Sequence, residues 1–235
     1  MNIIIPFKFN SARCARKNVR EFHDGKSLLD IAVENFQNHG HHVYLACEDS
    51  PKTLELQIKY SANHLSLNNT SDHWSEVMYD LSKAINEEFD PEELICLWQP
   101  VMPLFWLHNN IQEFISFAEY VLADRPNKNE CDLQNQIKFK DVESVVPVYP
   151  FKDYLVDKNL QGVNFSPGTW HVPSQSLPDL YTITPMTVST PSVYAKYHYS
   201  YSPKSAIWAA KGPYVDIDTE EEFKTAQILW KASIG

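Results

Sequence analysis

Short apolar runs separated by helix-length amphipathic segments constrain this chain more than any other feature. Asn2 to Pro6, Val43 to Cys47 and Leu94 to Trp98 each read as a brief buried strand. Between the first two, Leu28, Leu29, Ala32, Val33 and Phe36 recur at helical spacing behind Ser27, a suitable cap. Pro51 suits the first turn of a helix reaching about Tyr60, and Val77, Leu81 and Ile85 mark another over Trp74 to Phe89. This alternation predicts an α/β fold of parallel strands joined by right-handed crossovers. In such sheets ligands sit beyond the carboxyl ends of the strands. The rule places the loop after Pro6, the acidic turn at Glu48 and Asp49, and the turn after Trp98 on one rim.

The pattern then changes. Asp124 to Asp141 is polar and reads as loop, and Val142 to Val148 reads as a strand. Asp153 to Pro178 is rich in Pro, Asn and aromatics, so residues 142–181 read as an excursion inserted in a single domain over residues 1–235. Ile183 to Val188 and Ser205 to Ala210 are expected strands, and Thr219 to Ile234 an amphipathic helix. With 235 residues and 43% hydrophobic residues, one sizeable core is expected.

A formal net charge of -10 argues against a general nucleic-acid or anionic-membrane binder, which needs a basic face. It leaves room for a phosphate ligand, because a few local cations outweigh a distant acidic surface. Cys14, Cys47, Cys96 and Cys131 are scattered without C-x-x-C spacing, which fits free thiols in a reducing cytosol. The first apolar run is too short for a signal peptide or a membrane span, so a soluble cytoplasmic protein is expected.

Three stretches can carry chemistry. In residues 3–18, IIIPFKFNSARCARKN, a strand feeds a loop bearing Lys8, Arg13, Arg16 and Lys17 with Asn10 and Ser11. Such a loop can surround a polyphosphate, although it has no glycine for close backbone approach; a solvated basic loop is the plainer reading. In VDIDTEEEF, residues 215–223, Asp216 and Asp218 alternate on an extended segment and point to one side. That suits Mg²⁺, which accepts one or two carboxylates alongside waters and phosphates. The same stretch also reads as a helix start, with Asp218 or Thr219 capping and Glu220 to Glu222 complementing the dipole. In LWQPVMP, residues 97–103, Gln99 ends a strand, where its amide can read a base edge. His39, His41 and His42 fall at the opposite rim, and Tyr194 to Tyr201 reads as core and turn packing.

In this order the stretches resemble the acylneuraminate cytidylyltransferases, the CMP-sialic acid synthetase family, and more distantly the 3-deoxy-manno-octulosonate cytidylyltransferases. The loop A-R-x-x-S-K/R-x-x-P-x-K-N followed by G-K-x-L-L is matched by FKFNSARCARKN and by GKSLL at Gly25 to Leu29. The Q-P-T-S-P-L-R turn is matched by QPVMPLF at 99–105, the D-I-D-T-E-x-D/E-F segment by DIDTEEEF at 216–223, and Q-L-P-x-x-F/Y by SLPDLY at 176–181. The resemblance implies a Rossmann-like three-layer nucleotidyltransferase fold with a mostly parallel central sheet. It implies that Ser11, Lys17 and Asn18 line the phosphates and ribose of CTP, that Lys8 replaces the first loop arginine, and that Gln99 lies near the nucleotide. Asp216 and Asp218 are implied Mg²⁺ ligands, the excursion is implied to serve sugar binding and a homodimer, and the acceptor is a small acidic 2-keto sugar. Departures cluster on the sugar side. Ala15 replaces a proline and Phe105 an arginine, Thr184 and Pro185 stand in place of Asn-Gly, and Ser174 stands where an arginine often lies.

The expected reaction is attack of a sugar hydroxyl on the α-phosphate of CTP, with Lys8, Arg13 and Lys17 holding the departing pyrophosphate. Two rivals are a non-catalytic relative that binds without turnover and a glycosyltransferase. In the latter the paired aspartates are expected mid-chain, not before the last helix.

Overall fold

A computed structural model describes residues 1–68, 73–123, 141–166 and 173–234. The strands are β1 (Asn2–Pro6), β2 (Glu21–His23), β3 (Lys26–Ser27), β4 (His42–Cys47), β5 (Asn63–Ser66), β6 (Ile95–Trp98), β7 (Ser144–Phe151), β8 (Leu180–Ile183), β9 (Met186–Ser189) and β10 (Ser205–Ala209). The helices are α1 (Leu28–Asn38), α2 (Pro51–Tyr60), α3 (Trp74–Glu88), α4 (Phe105–His108), α5 (Ile111–Leu122), α6 (Pro191–Tyr197) and α7 (Glu220–Ile234). One eight-stranded sheet has the order β10-β7-β9-β6-β1-β4-β5, with β8 on β7. Its pairs are parallel except those made by β8 and β9. β2 and β3 form a separate hairpin.

Side-chain alternation along β1 divides the interior into two cores. Ile3 and Ile5 face a layer containing Leu29, Val33 and Phe36 of α1, Phe114 and Ala118 of α5, and Phe223 and Ala226 of α7. Ile4 faces the opposite layer, with Val77, Leu81 and Ile85 of α3 and Tyr194 of α6. All three isoleucines are fully buried, as expected of a strand covered on both faces.

The expected stretch Ile183 to Val188 is not one strand. β8 ends at Ile183 and β9 begins at Met186, because Pro185 has no amide proton to continue a ladder. Thr184 crosses between them, giving both its N–H and its hydroxyl to the Pro147 carbonyl, at 3.2 and 2.8 Å. The excursion also starts later than residue 142. Ser144 to Val148 pairs with β10 and Ser144 and Val145 with β9, so the chain leaves the sheet only after Phe151. Most of the expected loop at 124–141, with Cys131, lies outside the described residues.

Ser27 caps α1 as expected and forms a capping box with Asp30. Buried Asp30 accepts from Ser27 N at 2.8 Å, Ser27 Oγ at 2.6 Å and Tyr60 Oη at 2.7 Å, and pairs with Lys59. Burial disfavours its charge, but these partners outweigh it and hold the carboxyl down at about 2. Because the folded value lies below the unfolded one, this stabilisation is complete above about pH 4 and disappears as pH falls toward 2. We expect Asp30→Asn to lower stability at pH 7 by on the order of 2 kcal/mol and to flatten the acid limb of a stability-versus-pH curve from urea melts. Equal urea midpoints for the two proteins at pH 7 would remove this account.

Candidate active site

The loop after β1 is fixed by its own apolar residues and by the start of α7. Phe7 and Phe9 are buried edge to face at 5.3 Å, and Phe7 N donates to Ala46 O. Arg16 turns the chain in the left-handed region, with φ of 54°. Arg20 then grips Glu220 through two hydrogen bonds of 2.7 and 2.9 Å, while its guanidinium lies 3.8 Å from the centre of the Phe223 ring. The two ends of the polypeptide are thereby joined.

The segment carrying the aspartates is fixed as tightly. Asn109 accepts from Lys211 N at 2.8 Å and donates to Lys211 O at 3.0 Å. Gly212 follows with φ of +84° and the His108 ring where a Cβ would lie, so no other residue fits without displacement. Ile217 is fully buried and donates its N–H to Val101 O at 3.0 Å. With Ile217 turned inward, Asp216 and Asp218 face outward. Thr219, not Asp218, caps α7: its hydroxyl accepts from Glu222 N, and the Glu222 carboxylate accepts from Asp218 N and Thr219 N, each at 2.8 Å. Asp218 is thus left to the cleft.

A cleft of about 1050 Å³ opens along the carboxyl ends of β1, β4 and β6. Of the residues singled out from the sequence, Lys8, Asn10, Ser11, Arg13, Lys17, Asn18, Gln99, Asp216 and Asp218 line it. Arg16, the fourth cation of the loop, is not among its walls. Arg13 Nη2 lies 2.8 Å from one oxygen of Asp218 and Lys17 Nζ 2.9 Å from the other. Lys17 is only 9% exposed and also donates to Ile217 O, which rules out a merely solvated basic loop at this position.

The two carboxyls differ in charge balance. Burial pushes Asp216 up to about 6, reinforced by the nearby charge of Asp218. Burial acts on Asp218 too, but the hydrogen bond and charge of Lys17, with Arg13, hold it below the usual carboxylate range. Two outward carboxylates, one short of counter-charge, fit a divalent cation that takes its remaining ligands from water and phosphate. Among the described residues no group of three or more His, Cys, Asp or Glu side chains is placed to hold a metal. Asn18 supplies a further polar group. Its Nδ2 donates to Lys8 O at 3.0 Å, while its Oδ1, in the cleft wall, is buried with no partner among the described residues, an acceptor suited to a hydroxyl donor.

Several walls had no sequence signal. Behind the lining, Tyr214 packs tilted against Tyr149 at 4.9 Å and points its hydroxyl at Asp216 and Ile183 O, both at 3.4 Å. Trp74, Val77 and Leu67 form an apolar side. The stretch Tyr194 to Tyr201 divides: Tyr194 is core, whereas Tyr199, Ser200 and Tyr201 line the cleft. The histidines are elsewhere, since His42 pairs with Asn2 at the amino ends of the strands and burial pushes His41 down to about 4.

The chain matches no protein family and no curated protein. Among solved structures it is similar to CMP:2-keto-3-deoxy-manno-octonic acid synthetase complexed with CTP, with a TM-score of 0.62, 13% identity and 98% of each chain covered. It is also similar to 4-diphosphocytidyl-2C-methyl-D-erythritol synthase from Anaerococcus prevotii, at TM-score 0.59 and 13% identity, covering 98% of this chain and 97% of that one. A second structure of a synthase of that name gives TM-score 0.63 at 9% identity, covering 97% and 98%. At such identity the likeness is one of fold, a Rossmann-like α/β architecture with a mostly parallel central sheet. No helix among the described residues is long and apolar enough to cross a membrane.

Proposed function

We propose that this protein transfers a cytidylyl group from CTP to a hydroxyl of a small acidic sugar, releasing pyrophosphate. The observation that carries the reading is the meeting of the early cationic loop with the late aspartate pair in one cleft, through Arg13, Lys17 and Asp218. Agreement of the fold with enzymes named for cytidylyl products supports it.

The sugar hydroxyl oxygen forms a bond to the α-phosphorus, the bond from that phosphorus to the α–β bridging oxygen breaks, and the hydroxyl proton is lost to solvent or base. Catalysis of this kind is mainly positioning and charge stabilisation. Lys8, Arg13 and Lys17 hold the oxygens of the departing pyrophosphate. Ser11 and Asn18 receive the phosphates and ribose, and Gln99 reads the base. Mg²⁺ held by Asp216 and Asp218 would supply charge neutralisation at the α-phosphate and a lower pKa for the attacking hydroxyl. A 2-keto acid acceptor carries its carboxylate on the same carbon as its anomeric hydroxyl, so that carboxylate comes close to the α-phosphate, on the side opposite the departing pyrophosphate.

We assign pairing of two copies to the excursion, where Val156, Leu160, Val163 and Tyr181 are 40–77% exposed. Sedimentation at the 27.2 kDa monomer mass across micromolar concentrations would exclude that pairing. CTP and a free sugar are soluble cytoplasmic metabolites, and the cytoplasm is the compartment we propose.

The deciding experiment is a pyrophosphate-release screen of the four nucleoside triphosphates against 2-keto acid sugars with Mg²⁺. Release with CTP and one such sugar is expected. One observation favours a second reading, nucleotide binding without turnover: both oxygens of Asp218 already contact cations. Calorimetric CTP binding with no release from any pair would establish that reading.

A further inference from the structure

The segment between α6 and β10 forms an arch with both feet on one carboxylate. Glu143, immediately before β7, accepts from Lys196 Nζ and Tyr197 Oη on the incoming side, each at 2.7 Å. On the outgoing side it accepts from Ser202 Oγ at 2.8 Å, and its own N–H donates to Lys204 O at 2.9 Å. Ser202 N is bonded in turn to Ser144 Oγ at 3.0 Å. At the first bend His198 sits at φ of 48°, held by a 2.8 Å hydrogen bond between its Nδ1 and Ser82 Oγ on α3. Between these anchors Tyr199, Ser200 and Tyr201 line the cleft, with the two tyrosine rings edge to face at 5.0 Å and Tyr199 44% exposed. A surface turn needs no such fixation. A wall that must hold aromatic rings at a set place does.

We propose that Tyr199 and Tyr201 form the wall that receives the ring of the acceptor sugar, and that Glu143 is the positioning residue that sets it. The proposal rests on the cytidylyl-transfer reading and identifies which part of the cleft reads the second substrate. Nucleotide-facing groups come from the β1 loop and its neighbours, whereas the arch follows β9 and is tied to β7, on the other side of β6 in the sheet. A 2-keto acid sugar turns its reacting carbon toward the α-phosphate from the side opposite the departing pyrophosphate, so its ring lies away from Arg13 and Lys17. Tyrosine suits such a ring: its face packs against ring C–H groups, and its hydroxyl donates to or accepts from sugar hydroxyls.

The test uses the full chain, Mg²⁺, CTP and 2-keto-3-deoxy-manno-octonic acid as the acceptor probe. Tyr199→Ala and Tyr201→Ala should each raise the KM for the probe about tenfold, more than they lower kcat, while calorimetric CTP affinity stays within about twofold. Glu143→Ala should reproduce the rise. Glu143→Gln, which keeps an acceptor for Tyr197 and Ser202, should recover most of it. Saturation-transfer NMR of the probe with CTP-bound protein gives a readout independent of turnover, and its ring protons should lose saturation in the tyrosine variants. Wild-type saturation that depends on both tyrosines, without pyrophosphate release, would sustain the wall and remove the transfer reading. The wall proposal is overturned if the probe receives no saturation in the wild type. It is also overturned if the double tyrosine variant changes neither KM nor saturation, or if the loss falls on CTP.

Discussion

Asp216→Asn and Asp218→Asn are expected to lower pyrophosphate release by roughly 100- to 1000-fold each, about 2.7–4 kcal/mol of barrier, as for other preorganised electrostatic groups. Their effects on stability should differ in sign. In the metal-free protein Asp216 is half-buried beside a like charge, which holds its carboxyl at about 6, above the usual carboxylate value, so its ionised form opposes folding at pH 7. That penalty is absent well below pH 4 and grows until pH passes 6. An amide removes it, and Asp216→Asn should raise stability at pH 7 by on the order of 2 kcal/mol. Asp218→Asn should destabilise instead, because Lys17, 9% exposed, and Arg13 would lose the carboxylate charge that pairs them and keep at most a neutral amide acceptor there. Urea melts in EDTA read the stabilities, and pyrophosphate release with saturating CTP reads the rates. Activity within tenfold of wild type in the Asp216→Asn, Asp218→Asn double variant would rule out metal-assisted transfer by this pair.

The sign difference follows from a contact that sequence order alone does not display. Alternation made Ile3, Ile4 and Ile5 legible as a strand covered on both faces, and Ser27 with the spacing through Phe36 made α1 legible, since these signals lie within one element. β5 was not legible, because Asn63–Ser66 is a short edge strand with one buried side chain, Leu65. α5 carries its own signal, since Ile111, Phe114, Ile115, Ala118 and Val121 recur at helical spacing behind Asn110, a side-chain cap. The polar cleft residues of the first loop, Gln99 and the aspartate pair are legible because each stands in a short stretch with its own chemistry. The tyrosine arch was invisible for the opposite reason. Glu143 is 53 to 59 residues from Lys196, Tyr197 and Ser202, and nothing near any of them announces the contact.

Phe105 takes this distinction to its largest consequence. By sequence correspondence it occupies the arginine position of the P-L-R turn, and a reading confined to sequence would restore the arginine to strengthen substrate binding. The structure turns this side chain away from the cleft. Phe105 is 1% exposed and lies against Trp98 at 5.1 Å, Trp106 at 5.8 Å and Trp208 at 6.2 Å, ring centre to ring centre. Phe105→Arg therefore removes a packed ring, at about 3–5 kcal/mol, and places a guanidinium among indoles, at several kcal/mol more unless it finds a partner. Their sum reaches the whole stability of an ordinary domain, about 5–15 kcal/mol, so the variant should lose its cooperative thermal transition and its near-ultraviolet tryptophan signal. Phe105→Leu, which keeps an apolar side chain, should still fold with a lowered Tm. A cooperative melt for Phe105→Arg within a few degrees of wild type would mean that the turn can rotate this position outward, and the cleft would then hold a fourth cation.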